Sequence, residues 1–345
     1  MEEKYNRMVT IDDIARIAGV GRGTVDRVIH NRGRVSKDTY DKVVKVIKEL
    51  DYKPNIAARM LGKRKDLKIA VIYHNYESDF WNQVESGIAK AESEYAPMGI
   101  RIDRFVLEKI NQKKQEEVLR SVIKDKYDGV AIVPYKSSEV VKLINELVEK
   151  NVPVIAFNND EPCNRTAYVG QDLYKSGRTA GKLMAMMAKP NTVFAELAVI
   201  YSGMSALNSR LTGFQDVINE ERKDMIRYGT FSFREDNSFV YSLTQSLIQS
   251  GNIDAIYVSN VMVETVAEAI KDSGYKNKIL LVGHDITPKI VRYLKEGIID
   301  VTIGQEPEKQ GYIAVEKLCR KLLMDEDISG DTYTKIEVVV KENIP

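Results

Sequence analysis

The chain has 345 residues, 43% of them hydrophobic, and its 51 lysines and arginines nearly balance its 50 aspartates and glutamates. This length predicts two or three domains with sizeable cores. A membrane span and a secretory signal are not expected, because the sequence lacks a run of about eighteen apolar residues and begins with a charged segment. The two cysteines, Cys163 and Cys319, have no metal-binding spacing and predict reduced thiols in a cytoplasm.

The charge is unevenly distributed along the chain. Residues 1–65 hold 16 basic and 9 acidic residues, a net charge of +7, whereas residues 66–345 carry a net charge of −6. A basic head on an acidic body is typical of a phosphate-binding module attached to a body that does not touch nucleic acid.

The first predicted elements are two helices separated by a tight turn. Thr10 is a good N-cap with Asp13 three residues later, and Gly19 can end the first helix in the left-handed conformation. The residues at helical spacing that we expect to face inward are Ile14, Ala15, Ile17 and Ala18, then Val25, Val28 and Ile29. Those left facing outward are Arg22, Gly23, Asp26, Arg27 and His30. Exposed basic residues at the start of a second helix suit the major groove of DNA.

A third helix is predicted after Ser36, its N-cap. Its expected buried stripe consists of Tyr40, Val43, Val44, Ile47 and Leu50. The alternative to DNA binding is a small three-helix bundle with a solvated basic face.

From Leu67 onward, apolar runs alternate with amphipathic stretches. Strands are predicted at 68–73, 101–106, 129–134, 153–157, 167–170, 195–202, 226–232, 254–259, 279–283, 301–304 and 335–340. The clearest helices are predicted at 80–95, 112–124, 139–150, 175–187, 206–219 and 261–273. This alternation predicts parallel sheets covered by helices, and about 280 residues suggest two α/β subdomains.

Several polar residues follow predicted strands, where ligands bind in such sheets. They are Asn158, Asn159, Asn260, Asp285 and Gln305. Amides and a carboxylate can bind hydroxyl groups, and the aromatic rings of Phe80 and Trp81 can stack on a sugar. The set favours a carbohydrate or polyol site, although each residue could simply belong to a turn.

Residues 9–63 resemble the headpiece of the lactose-repressor (LacI/GalR) family of bacterial regulators. The resemblance lies in Val9-Thr-Ile-Asp-Asp-Ile-Ala, Ala18-Gly-Val, Thr24-Val-Asp-Arg-Val and Leu50-Asp-Tyr-Lys-Pro-Asn-Ile-Ala-Ala. It implies a helix-turn-helix whose base-reading positions are Arg22, Gly23 and Arg27; Gly23 has no side chain, so the two arginines would carry direct readout. The other implied DNA contacts are Thr10, Thr24 and His30, followed by Asn55, Ala58, Arg59 and Leu61 in a hinge helix that enters the minor groove. The alternative for that segment is an ordinary linker.

Residues 68–340 resemble the periplasmic sugar-binding proteins of the ribose type, a fold that the same family uses for its effector domain. Supporting strings are Asp79-Phe-Trp, Pro153-Val-Ile-Ala-Phe-Asn-Asn, Val282-Gly-His-Asp and Thr302-Ile-Gly-Gln-Glu-Pro. The implied sugar contacts are Phe80, Trp81, Asn158, Asn159, Asn208, Asn260, Asp285 and Gln305. Ribose-type sites have arginines where Asn159 and Asn208 stand, which favours a neutral ligand. An anionic ligand would need positive charge from Lys136, His74, Arg165 or His284.

The expected fold class is an all-α helix-turn-helix headpiece followed by an α/β periplasmic-binding-protein type I fold with two parallel-sheet subdomains. The headpiece spans 9–53, the hinge helix or linker 54–65, and the effector-binding and dimerisation domain 66–345. Within it, we expect an N-subdomain of about 66–160 and 287–306 and a C-subdomain of about 161–286 and 307–345. The chain would cross between them near 158–165, 285–288 and 305–308.

These features predict a cytoplasmic DNA-binding transcriptional repressor whose operator affinity is controlled by a neutral sugar or polyol. Its partners would be palindromic double-stranded operator DNA, the effector and a second copy in a homodimer, with no membrane and no cofactor. An enzyme is not expected, since His30, His74 and His284 show no metal-ligand spacing and no catalytic motif is present. Alternatives are a solute-binding protein for carbohydrate uptake and a regulator that responds to an anionic sugar derivative or a nucleobase.

Overall fold

A computed structural model describes residues 11–29, 33, 35–50, 66–74, 79–108, 111–199, 206–233, 236–275 and 278–344. The chain divides between Lys65 and Asp66 into two compact units. The fold class expected from the sequence is confirmed in both units.

The described residues of the first unit form three helices, α1 (Ile11–Ala18), α2 (Arg22–Ile29) and α3 (Lys37–Glu49). Gly19 has a φ of +64° and follows the end of α1, as its predicted role as a helix terminator requires. The helices share one small core, made of Ile14, Ala15, Ala18, Val25, Val28, Val43 and Val46.

Two residues predicted to be buried in this core are exposed instead. Ile17 is 52% exposed, because it lies to one side of the stripe that Ile14 and Ala18 form one turn apart. Tyr40 is 40% exposed, and Val46, which the predicted stripe of α3 omitted, is buried instead. In both helices, the buried face therefore includes fewer apolar residues than the sequence pattern predicted.

The second unit alternates strands and helices throughout. Its strands are β1 (Leu67–His74), β2 (Ile100–Leu107), β3 (Gly129–Ile132), β4 (Val154–Phe157), β5 (Ala167–Gly170), β6 (Val193–Val199), β7 (Ile226–Phe233), β8 (Ala255–Val258), β9 (Leu280–His284), β10 (Val301–Gly304), β11 (Thr332–Tyr333) and β12 (Glu337–Val339). Its helices are α4 (Asp79–Tyr95), α5 (Gln112–Lys124), α6 (Ser138–Glu149), α7 (Leu173–Met187), α8 (Ala206–Glu221), α9 (Asn237–Gln249), α10 (Val263–Asp272), α11 (Pro288–Lys295) and α12 (Pro307–Met324).

The strands form two six-stranded sheets, one in each subdomain. The first sheet has the order β11-β5-β4-β3-β1-β2 and is parallel throughout. The second has the order β12-β10-β9-β8-β6-β7, and only β12 runs antiparallel to its neighbour. Most strands are buried on both faces, which explains their nearly continuous apolar runs.

The predicted subdomain boundaries are wrong in three places. Helix α11 and strand β10, expected in the N-subdomain, belong to the second subdomain, where Ile290 packs in its core and β10 pairs with β9. Helix α12 was expected in the C-subdomain, yet Val315 and Leu318 pack in the core of the first. Residues 161–170, also assigned to the C-subdomain, contribute β5 to the first sheet.

The chain crosses between the subdomains three times, but only one crossing lies where it was predicted. The crossings follow β5 at residues 171–172, β10 at 305–306, and β11 at 334–336. The prediction near 305–308 is therefore right. Those near 158–165 and 285–288 are wrong, because both segments connect elements of a single subdomain. Strand β11 was not predicted, since two residues are too short to show an alternating pattern.

In the second subdomain, helices α7 and α8 pack with their backbones in close approach at Gly177. A Cβ atom at this position would lie 1.8 Å from the carbonyl oxygen of Arg210, in the first turns of α8. Only glycine permits this separation, so Gly177 lets the two helix backbones meet beside Arg210.

An aromatic cluster lies at the end of β1 in the first subdomain. The ring centroids of His74 and Trp81 are 4.5 Å apart, and those of Trp81 and Phe80 are 5.2 Å apart. Tyr73 and Tyr135 complete the cluster. All five side chains are at least nine-tenths buried, and burial lowers the pKa of His74 to about 3. His74 is therefore a neutral core residue and not a source of positive charge.

Replacing Gly177 with alanine should destabilise the second unit by about 1–3 kcal/mol or more, because the added methyl group must push α7 and α8 apart. Urea unfolding of the full chain measures the change. Gly23→Ala is the matched helical control, since a Cβ there meets no atom within 4 Å. Equal and small effects of both variants would contradict the proposed close packing.

Replacing His74 with phenylalanine should flatten the dependence of stability on pH. Between pH 6.5 and pH 3 the unfolded chain binds a proton at His74 that the folded chain does not, so native stability falls as the pH falls. The loss attributable to this group reaches about 1.4 kcal/mol per pH unit. Urea unfolding at pH 7, 6 and 5 tests this, and an unchanged slope in the variant would show that His74 is not held neutral.

Candidate functional site

The polar residues predicted at strand ends lie where parallel strands of both sheets terminate. Asn158 and Asn159 follow β4 of the first sheet, and Asn260, Asp285 and Gln305 follow β8, β9 and β10 of the second. All except Asn158 are less than 9% exposed, and Asn158 is half-buried. Both subdomains therefore contribute polar side chains to the region between them.

A chain of side-chain hydrogen bonds joins the two subdomains here. Asn158 donates through Nδ2 to Oε1 of Gln310, at 3.2 Å. Gln310 donates through Nε2 to the carbonyl oxygen of Gln305, at 2.8 Å, and Gln305 Nε2 donates to Oδ1 of Asp285. Of the four residues, sequence reasoning missed only Gln310, which belongs to the first turns of α12.

Left-handed backbone marks the same region. Asn158 has a φ of +62° and Asp285 a φ of +77°, and Glu306, in the second crossing, has a φ of +52°. Asparagine and aspartate tolerate this conformation better than most residues, but for glutamate it is uncommon. Such backbone concentrates at ligand-binding and hinge positions.

The two remaining asparagines are held differently. Asn159 donates through Nδ2 to the carbonyl oxygen of Pro134 and to Glu161, while its Oδ1 has no hydrogen-bond partner among the described residues. Asn260 accepts a hydrogen bond from the backbone NH of Met262 at 3.2 Å. This contact is that of a turn residue, the alternative to ligand binding that the sequence left open.

A buried arginine that the sequence did not single out interacts electrostatically with Asp285. Asn208 is exposed on α8, and two residues later Arg210 is only 2% exposed. Its Nη1 donates to the carbonyl oxygen of Ser259 at 2.7 Å, and its Nε has no partner within the described part of the chain. The sequence did indicate that Arg210 faces inward, because it lies four and seven residues before Phe214 and Val217, which are buried on the same face of the helix.

Arg210 and Asp285 influence each other electrostatically. Burial raises the pKa of the Asp285 carboxyl, and the positive charge of Arg210 together with the hydrogen bond from Gln305 opposes that rise. Burial likewise lowers the pKa of Arg210, and Asp285 opposes this change. The two residues place a basic and an acidic side chain in the same buried region.

His284, one of the possible sources of positive charge for an anionic ligand, is a core residue. It is fully buried, with Nε2 3.0 Å from the hydroxyl of Tyr257 and Nδ1 3.5 Å from that of Ser176. Burial, reinforced by Arg210, holds the pKa of His284 well below its usual value. A neutral core histidine cannot supply the positive charge once assigned to it.

The other two residues named as sources of positive charge are Arg165 and Lys136. Arg165 forms ion pairs with Asp160 and with Asp331, at 2.5 and 2.9 Å, and Lys136 is exposed. Arg165 lines a cavity of about 530 Å³ that extends from the β4–β5 loop to Gln171 and Ser209. None of the eight predicted effector residues lines this cavity.

The first turn of α4 approaches the second subdomain. Gln83 donates through Nε2 to the carbonyl oxygen of Ile286 at 3.1 Å, so the subdomains are in direct contact on this side. Phe80 and Trp81 are in the same helix but belong to the core of the first subdomain.

The predicted DNA-reading residues lie on α2 of the first unit. Arg22 is exposed and 3.4 Å from Asp12, a pair that contributes little in water, and exposed Arg27 donates through Nε to the carbonyl oxygen of Gly23. Thr24 is half-buried beside them. The remaining predicted DNA contacts and the hinge segment 54–65 lie outside the described residues; these contacts are Thr10, His30, Asn55, Ala58, Arg59 and Leu61.

No helix in the described ranges is long and apolar enough to cross a membrane.

Comparison with known proteins identifies both units. The model of the periplasmic binding protein domain matches residues 69–325, and that of bacterial regulatory proteins of the lacI family matches residues 10–55. The HTH-type transcriptional regulator CelR of Thermobifida fusca is 26% identical over 98% of this chain and 97% of its own. Catabolite control protein A of Staphylococcus epidermidis is 25% identical over 78% of this chain and 79% of its own.

A solved structure supports the assignment of the larger unit. GanP, a glucose-galactose binding protein from Geobacillus stearothermophilus, superimposes with a TM-score of 0.72 at 25% identity, covering 81% of this chain and 99% of its own. The matches to both units, in this order along one chain, mean that the protein belongs to the periplasmic-binding-protein family and is a LacI-family DNA-binding transcriptional regulator.

Proposed function

We propose that this regulator is a cytoplasmic homodimer that represses transcription from a palindromic operator and is controlled by a neutral sugar or polyol bound between its subdomains. The observation that carries the effector class is the buried pair of Arg210 and Asp285 among amides at the strand ends. The charges of the pair balance, so a ligand that adds no net charge fits the site best.

The hydrogen-bonding groups support the same class of ligand. Asp285 can accept from hydroxyl groups, Arg210 can donate through Nε, and Asn159 can accept through Oδ1. A polyol provides donors and acceptors on neighbouring carbons and can satisfy all three. GanP is a glucose-galactose binding protein, which supports the inclusion of glucose and galactose among the first ligands to test.

Dimerisation follows from the mode of DNA recognition. A single three-helix headpiece with the small core described above reaches few base pairs, and two copies read the half-sites of a palindrome. Arg22 and Arg27 would hydrogen-bond base edges in the major groove, and the positive charge of residues 1–65 would bind phosphates.

The effector can change operator affinity only if it binds two arrangements of the subdomains with different free energies. Both subdomains carry side chains of the proposed site, so closure around a ligand would change their relative orientation. The first subdomain begins at β1, immediately after residues 54–65, and would pass the change to the headpiece.

Replacing Asp285 with asparagine should weaken binding of a neutral sugar or polyol roughly 10- to 100-fold, because a hydrogen bond to a carboxylate is lost and Arg210 loses its balancing charge. We would measure thermal shifts of the full chain with glucose, galactose, myo-inositol, gluconate, glucose 6-phosphate and adenine. At about 100 times its dissociation constant a ligand should add roughly 2.7 kcal/mol of stability.

Asp300→Asn is the matched control for Asp285. Asp300 is a largely buried acid of the same sheet, but it accepts from the backbone NH of Leu281 at the amino end of β9, away from the site. A thermal shift seen only with gluconate or glucose 6-phosphate, and larger in Asp285→Asn, would contradict the proposal that the effector is neutral.

Replacing Arg27 with alanine should abolish sequence-specific DNA binding and leave the thermal shift by effector unchanged. Selection from a random-sequence DNA duplex pool provides the operator sequence for the unmodified chain and tests the variant. Each lost arginine–guanine contact costs about 1–3 kcal/mol. Arg101→Ala, which removes an exposed arginine from the second unit, is the control; selection of the same sequence by Arg27→Ala would overturn the assignment of α2.

A further inference from the structure

Gln171 occupies the first of the three crossings between the subdomains, and its side chain joins that crossing to the other two. Only 2% of the residue is exposed. Its Nε2 donates to the carbonyl oxygen of Gly304, where β10 enters the second crossing, and to that of Lys335 in the third, both at 2.9 Å. One amide group thus holds all three segments on which the subdomains pivot.

The acceptor side of the same amide reaches the proposed effector site. Oε1 of Gln171 accepts from Nη2 of Arg210 at 3.4 Å, and the backbone carbonyl of Gln171 accepts from the hydroxyl of Tyr168 at 3.2 Å. Both amide hydrogens and the amide oxygen are therefore engaged. A fully satisfied buried amide fixes the positions of its partners, whereas its loss leaves buried carbonyl groups unpaired.

Two other hydrogen bonds join the crossings, but less completely. Thr334 donates through its NH to the carbonyl oxygen of Gly170, which joins the first and third segments. Lys335 donates through its NH to Oε2 of Glu306, which joins the third and second. The side chain of Gln171 adds a hydrogen bond between the first and second crossings, and it also accepts a hydrogen bond from Arg210.

We propose that Gln171 is a positioning residue that sets how widely the subdomains open and holds Arg210 in place, without touching the effector itself. The three segments then rotate together, and Arg210 moves with them. These hydrogen bonds join residues of the chain to one another, so this role does not depend on which effector class is right.

The experiment measures opening in the full chain without effector or DNA. Val106 and Ile226 are 45% and 55% exposed and belong to β2 and β7, the sheet edges opposite the crossings. Fluorescent dyes on cysteines at these two positions, with Cys163→Ser and Cys319→Ala in the background, report the distance between subdomains by single-molecule energy transfer.

Gln171→Met keeps the length of the side chain and removes its three hydrogen bonds. We expect it to broaden the distribution of transfer efficiencies and to shift the ratio of closed to open molecules roughly tenfold. Tyr168→Phe, a milder change in the same contacts, should broaden the distribution less and provides the test if Gln171→Met does not fold.

Gln115→Met is the matched control. Gln115 is fully buried, donates to the carbonyl oxygen of Val133 and accepts from the NH of Tyr135, both at 2.9 Å, but all three residues belong to the first subdomain. It should lower the melting temperature and leave the distance distribution unchanged. A distribution in Gln171→Met identical to that of the unmodified chain, or equal broadening in Gln115→Met, would overturn the proposal. A failure of the sugar panel would not affect this result.

Discussion

The buried guanidinium of Arg210 is the constraint around which the second unit is organised. A charge this deeply buried is unfavourable unless its environment supplies both hydrogen-bond acceptors and an opposing charge. The acceptors are the carbonyl oxygen of Ser259 and the amide oxygen of Gln171, and the opposing charge is that of Asp285. Each belongs to a different segment, so the requirements of one side chain bring the ends of β5, β8 and β9 to the same place.

Helix α7 packs closely against α8 at the same residue. A Cβ atom at Gly177 would lie 1.8 Å from the carbonyl oxygen of Arg210, so only glycine lets the two helix backbones meet there. Desolvation holds the pKa of His284 low and Arg210 adds to this effect, while Arg210 also opposes protonation of Asp285. The protonation states in this region are thus set by one buried cation as well as by desolvation.

Sequence patterns predicted the elements far better than their assignment to subdomains. The strands and most helices show up as local periodicity, so β1, α5 and β10 begin and end within a few residues of the predicted bounds. Which sheet a strand joins depends on contacts between residues distant in sequence. The apolar face of α12 would suit either subdomain, and only the packing of Leu318 against the first core decides between them.

The candidate site shows the same limit. The polar residues after strands could be named because parallel strands end at one edge of a sheet. Arg210 was not named, because the comparison with the family's motif pointed to position 208, and Asn208 is exposed. The inward-facing spacing of Arg210 with Phe214 distinguishes the two, and this physical criterion needs no comparison with a family.

Strand β1 connects the two functions of the chain most directly. Its carboxyl end carries His74 in the aromatic cluster with the first turn of α4, and its amino end continues the chain from residues 51–65. Residues Ile69 to Ile72 are fully buried between β2 and β3, so the strand cannot bend independently of its sheet. A ligand that moves the first subdomain must therefore move the start of β1 as part of a rigid body. In the proposed function, the signal to the headpiece would be a rotation of the whole first sheet, and no deformation along the strand would be needed.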